Sequence, residues 1–157
     1  MAVLEHAAWP ALPYGAWKDT YETLHMWMQV VGKVALAQAP PINHSWAVAF
    51  HLTPRGLSTH LLPHGGQSFA IEFDFVDHHL RVKSSDGGVQ ALALTAQPVA
   101  AFYRSLMDLL DRMGLGVHIW TMPVEIPNPI RFEDDTIHHT YDAEAAQLSR
   151  KSIRFRE

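Results

Sequence analysis

Eleven histidines in a chain of 157 residues that has no cysteine set the chemistry this sequence can attempt. Imidazole titrates near neutral pH, relays protons and binds divalent metals. Thiolate catalysis, disulfides and cysteine-ligated metal centres are excluded. Two groupings carry candidates. The first is His25 and Trp27 in one segment and His44 and Trp46, within Asn43-His44-Ser45-Trp46, in another. Small-ligand pockets combine apolar walls with a few fixed polar groups, so these four residues form a candidate ligand-binding set. The two histidines have plainer readings: His25, between Tyr21 and Met28, as a core-edge histidine, and His44 as a turn or strand-end cap. The second grouping is His60 and His64, four apart around Pro63, with Asp134, Asp135, His138 and His139 further on. Nitrogen and oxygen donors of this kind hold Zn²⁺, Mn²⁺ or Fe²⁺ and would serve hydrolytic or oxidative chemistry. Their spacing matches no known cage, and Pro63 disfavours presentation from a helix. The alternative is an acidic surface loop leading to a short helix over 143–149, capped by Asp142.

Periodicity supplies the elements that must position these groups. Between the Pro-punctuated lead Trp9-Pro10-Ala11-Leu12-Pro13 and Pro40-Pro41, residues 15–37 place Trp17, Tyr21, Leu24, Met28, Val31 and Ala35 on one helical stripe. That stripe leaves Trp27 off-centre, where an exposed indole would contact a ligand or subunit. Alternation over Trp46, Val48, Phe50 and Leu52 predicts a strand, turned at Thr53-Pro54-Arg55-Gly56 into a second strand over Leu57 to Leu62. Phe69, Ile71, Phe73 and Phe75 share one strand face. With Asp77-His78 as the turn, Phe75 pairs with Leu80 and Phe73 with Val82, while Asp74 meets Arg81 and Glu72 meets Lys83 on the outer face. His78 and His79 then flank the turn towards solvent. A turn at Asp86-Gly87-Gly88 sets Leu92 opposite Val82 and Leu94 opposite Leu80. Pro98 opens a second helix whose stripe is Val99, Phe102, Leu106, Leu109, Leu110 and Met113, closed by Gly114. A last strand over Val117 to Met122 leads into a Pro-rich extended segment.

The expected fold is therefore α+β: an antiparallel β-meander covered on one face by two helices, with an additional strand and an extended C-terminal segment. The length and a 48% hydrophobic content suit one domain over 1–157, ending in a basic tail over 148–157 that carries Arg150, Lys151, Arg154 and Arg156. A net charge of -4 argues against nucleic acid. No stretch is apolar enough for a membrane span and no signal peptide precedes the fold, so the expected location is cytoplasmic. Phosphate-binding glycine loops, G-x-S-x-G, H-E-x-x-H and dinucleotide fingerprints are all missing.

Trp9-Pro10-x-Leu12-Pro13, Thr23-Leu24-His25-Met26-Trp27, Val31-Gly32-Lys33, Asn43-His44-x-Trp46 and Arg55-Gly56-Leu57 form a pattern. Glu72-Phe73-Asp74-Phe75, Ser85-Asp86-Gly87, Ile119-Trp120-x-x-Pro123 and His139-x-Tyr141-Asp142 extend it. Over residues 9–147 this pattern resembles a bacterial family known as domain of unknown function 5996, which implies no activity or site residues. Longer members of that family continue into a second segment that reuses the Gly-Lys, Pro, His, Trp pattern. The resemblance thus implies that this chain corresponds to one half and pairs with itself as a two-fold dimer. Three functions remain open: a small-ligand-binding domain, a metal-dependent enzyme whose only implied cofactor is a divalent ion, and a homo-oligomeric assembly module.

Overall fold

The computed structural model describes residues 11–41 and 43–152. Trp9 and Pro10 of the lead, and Arg154 and Arg156 of the basic tail, lie outside them. The fold is α+β, and the described residues form a six-stranded antiparallel sheet and three α-helices. Helix α1 (Tyr14–Gln38) is followed by a 3-10 turn at Asn43–Val48, then by β1 (His51–Leu52), β2 (Gly56–Ser58), β3 (Leu62–His64), β4 (Gln67–Asp74), β5 (His79–Ser84) and β6 (Val89–Ala93). Helix α2 (Val99–Arg112), a 3-10 turn at Phe132–Asp134 and helix α3 (Ala143–Ser152) complete it. The strand order is β1-β2-β4-β5-β6, with β3 also paired to β4.

Helix α2 is amphipathic as its spacing requires: Val99, Phe102, Leu106, Leu109 and Leu110 are all buried, and Gly114 follows at φ 70. The buried face of α1 is rotated from the expected stripe. It runs Thr20, Thr23, Leu24, Trp27, Val30, Val31, Val34 and Ala35, an i, i+3, i+4 pattern whose first members are polar. Those threonines belong inside because their hydroxyls serve the backbone: Thr20 Oγ1 accepts from Asp142 N–H at 3.0 Å and Thr23 Oγ1 from Thr140 N–H at 3.1 Å. Phe69, Ile71 and Phe73 of β4 and Leu80 and Val82 of β5 share one sheet face, and they join α1 and α2 in one core cluster.

Both meander hairpins form two residues out of the expected register. Phe73 pairs with Leu80 and Ile71 with Val82, and Leu80 pairs with Leu92. A shift of two keeps every side chain on its face, so the apolar alternation could not detect it. The turn itself decides. Asp74 Oδ1 accepts from Val76 and Asp77 N–H, at 2.9 and 3.0 Å, which lengthens the loop through Phe75–His78. The outer-face charges still meet, diagonally: Arg81 Nε lies 3.2 Å from Asp74 Oδ2 and Lys83 Nζ 2.7 Å from Glu72 Oε2.

Three other expectations change. The segment from Trp46 onward is a 3-10 turn before it becomes a two-residue strand, with His44 and Ser45 at positive φ. The second strand divides into β2 and β3 because Thr59 interrupts the ladder; its own hydroxyl accepts from Ile71 N–H at 3.0 Å. His60 and Leu61 project from that interruption. Val117 to Met122 forms no strand, and the Thr121 carbonyl instead accepts one hydrogen bond from Phe132 N–H at 3.0 Å.

The chain after α2 works as a strap. The carbonyls of His138 and Asp135 accept from Val99 and Ala100 N–H, both at 3.0 Å, satisfying the start of α2. Tyr141 stacks on Trp27 and shares a 2.7 Å hydrogen bond with His78 Nδ1. His78 is thereby half-buried rather than open to solvent. Asp142 Oδ1 then caps α3 as expected, accepting from Glu144 and Ala145 N–H at 2.9 and 3.1 Å. Among the described residues no helix is long and apolar enough to cross a membrane.

Candidate functional site

Every fourth residue along one side of α1 is Trp17, Tyr21, His25, Gln29 and Lys33. Such a row winds gradually around a helix, so its two ends face different neighbours. The first three rings form a ladder, Trp17 to Tyr21 at 5.4 Å and Tyr21 to His25 at 6.2 Å between centroids. This side looks onto a groove of about 430 Å³. Helix α1 supplies Trp17, Tyr21, Leu24, His25 and Met28; Leu57 of β2 and Phe75 after β4 form the facing wall, and Leu12 and Ser149 complete it. Its lining is overwhelmingly apolar, with the His25 imidazole half-buried at one side.

His25 also lines a second recess, of about 360 Å³, with Gln29, Gly32, Lys33, Leu36, Val48, Val124 and Glu125. This recess is built more rigidly than its loop wall suggests. The Gln29 amide donates to Val124 O at 2.7 Å and its carbonyl accepts from Val124 N–H at 2.9 Å, so one side chain replaces a strand partner for that residue. Glu125 follows at φ 58. Lys33 Nζ lies 4.5 Å from the centroid of the Trp120 ring, and partial burial pulls its pKa below the ordinary amine value. Lys33 makes no ion pair among the described residues, and Trp120 is 61% exposed.

The four residues of the first candidate set occupy three environments. Trp27 is fully buried, stacked between Phe102 at 4.8 Å and Tyr141 at 5.6 Å, and its Nε1 has no hydrogen-bond partner among the described residues. His25 stands on the groove. His44 and Trp46 are exposed in the 3-10 turn, and Trp46, 72% exposed, lines a separate concavity with Pro40, His60 and Leu61. His25 and Trp46 therefore face different cavities.

The metal candidates are similarly dispersed. The His60 ring lies 5.2 Å from that of His51, while His64 Nδ1 is hydrogen-bonded to Gln38 Oε1 at 2.8 Å. Asp135 is buried as a structural cap: its Oδ1 accepts from Ile137 and His138 N–H, and its Oδ2 lies 2.7 Å from His138 Nδ1. Asp134 and His139 are exposed. Among the described residues no three histidines, aspartates or glutamates come together as a metal-binding group.

Sequence reasoning finds His25 but misses Trp17, Tyr21, Gln29 and Lys33 as its companions. The four-residue repeat is the available signal; the apolar stripe claims Trp17 and Tyr21 for the core and leaves the polar pair to the surface. No curated protein and no solved structure gives a significant match to the chain. Residues 9–154 match the model of a family of unknown function, DUF5996, and nearly the whole chain is spanned by that match; the protein belongs to this family.

Proposed function

We propose that the protein binds a small, largely apolar molecule in the groove between α1 and the β2–β4 corner of the sheet. The observation that carries this reading is the groove itself, about 430 Å³ of concave space walled by aromatic and aliphatic side chains with one imidazole at its side. Ligand sites have this size and this ratio of apolar wall to polar handle. His25 is the handle, able to donate or accept a single hydrogen bond, and Trp27 contributes by holding α1 against α2. A thermal-shift panel of medium-chain alcohols, acids and aromatic alcohols tests it. A ligand at a hundred times its Kd stabilises the fold by about 2.7 kcal/mol. Met28→Trp, which fills the groove, abolishes that shift; a panel without a single stabilising member overturns the reading.

A second reading concerns the opposite end of α1. Trp46 and Leu61 are both largely exposed, and they flank one concavity beside the short edge strand β1. Large exposed apolar side chains grouped at a sheet edge favour pairing with a second copy. Sedimentation equilibrium is expected to give a dimer that Trp46→Ser with Leu61→Ser converts to monomer. A monomeric wild-type protein removes this reading and leaves the groove untouched.

A further inference from the structure

His25 stands between two cavities. Its imidazole lines both the groove and the recess, so the two spaces adjoin along α1, and the chemistry of their walls changes at that residue. On one side stand Trp17, Tyr21 and Met28; on the other Gln29, Lys33 and Glu125 stand among Leu36, Val48 and Val124. We propose that the ligand is an amphipathic monocarboxylic acid, its apolar body in the groove between α1 and β2 and its carboxylate held by Lys33 in the adjoining recess, with His25 at the junction. This rests on the ligand-binding reading above and adds the ligand's chemical class.

Charge complementarity selects the head group. Among the described residues Lys33 is the only lysine or arginine lining either space, and it has no anionic partner there. Its ammonium is partly stripped of water and rests on the face of Trp120 at 4.5 Å, an arrangement that leaves the outward N–H donors for an anion. Burial disfavours the isolated charge, and a carboxylate alongside would relieve that cost. Glu125 shares the recess, so its negative charge limits the tolerated head group to a single one.

Geometry selects the length. From His25 to Lys33 is two four-residue steps of α1, as is Trp17 to His25. At the helical rise of about 1.5 Å per residue, each span covers roughly 12 Å. A short acid cannot touch both Lys33 and the Tyr21–Leu57 part of the groove, whereas an extended medium-length chain can. The clasp of Gln29 on Val124 fixes the recess wall, so the head site exists before the ligand arrives and less ordering is needed on binding.

The test titrates the full chain with dodecanoate and, separately, with dodecanol, both below the concentration at which they aggregate. Heat of binding and tryptophan fluorescence are the readouts, with Trp120 beside the head site and Trp17 in the groove. Dodecanoate is expected to bind about tenfold more tightly than dodecanol, the worth of one partly desolvated charge-assisted bond. Lys33→Met should remove most of the difference between dodecanoate and dodecanol, Lys33→Arg should retain it, and Glu125→Gln should widen it. Equal binding of acid and alcohol, unaltered by Lys33→Met, overturns the head-group assignment and leaves the groove reading standing. If neither chain binds, this inference falls, and the groove reading is then decided by the wider panel.

Discussion

Asp74 and Asp135 both have side chains with no exposed surface, and each uses its carboxylate to hold backbone rather than substrate. Asp74 is the more heavily engaged. Its Oδ2 takes Arg55 Nε at 2.7 Å and Arg81 Nε at 3.2 Å, while its Oδ1 takes two backbone N–H groups. Burial acts to raise its pKa, but the hydrogen bond from Arg55, then those of Asp77, Val76 and Arg81, outweigh it and hold the carboxyl far below the usual range. A depressed carboxylate stabilises the fold fully above the unfolded value of about 3.9 and loses that contribution as pH falls towards the folded one. Denaturation measured from pH 7 downward should therefore show stability falling away below about pH 4. Asp74→Asn should cost about 3 kcal/mol at pH 7, the order expected when one member of a buried ion pair is removed, and should flatten the acid limb. An unchanged acid limb in that variant would assign the pH dependence elsewhere. That Asp74 and Glu72 share the outer face with Arg81 and Lys83 is legible from alternation, while the diagonal way they meet is set by the turn. The complete burial of Asp74 is not legible, because it depends on Arg55 reaching back over the sheet from a turn nineteen positions away.

At the scale of elements, β2 is short and yet decisive. Gly56 pairs with Asp74, and a Cβ placed there would stand 2.0 Å from Phe73 O. Gly56→Ala must push β2 off β4, and Leu57, the next residue, would leave the groove wall with it. A loss of about 3 kcal/mol in chemical denaturation is expected, at the upper end for overpacking, together with loss of ligand stabilisation. An alanine variant of wild-type stability would show that the strand pair yields more readily than this contact implies. Periodicity locates α2 and the Asp142 cap of α3 correctly, since one apolar stripe and one capping residue suffice for each. It places α1 but turns it about its axis: Thr20 and Thr23 look polar in sequence and are buried by partners more than a hundred positions away. That rotation puts Trp27, a ligand candidate by sequence, into the core, and brings Trp17 and Tyr21, core candidates by sequence, to the groove. The 3-10 turn after α1 escapes for a related reason. Trp46, Val48 and Phe50 alternate as a strand would, but positive φ at His44 and Ser45 sets the backbone before alternation can act.

For the molecule as a whole, the groove joins regions remote in sequence. Leu12 and Ser149, close to opposite ends of the described residues, line the same space, and the strap that leads to Ser149 is tied to α1 by bonds spanning 117 and 122 positions. Burial pushes the Tyr141 hydroxyl of that strap well above its ordinary pKa, with Asp142 and Asp74 adding to the effect, so it stays protonated where it meets His78 Nδ1 at 2.7 Å. The order of synthesis gives this connectivity a meaning in time. A ribosome adding about 5–20 residues per second completes α1 on the order of ten seconds before it reaches the strap. Until the sheet and α2 follow, Trp27 and Val30 form a bare apolar flank on a nascent helix, because their partners in the core come later in the chain. It is a surface on which a chaperone can hold the chain, and it is closed off only by segments made after it, with Ser149 of α3 the last to arrive at the neighbouring groove.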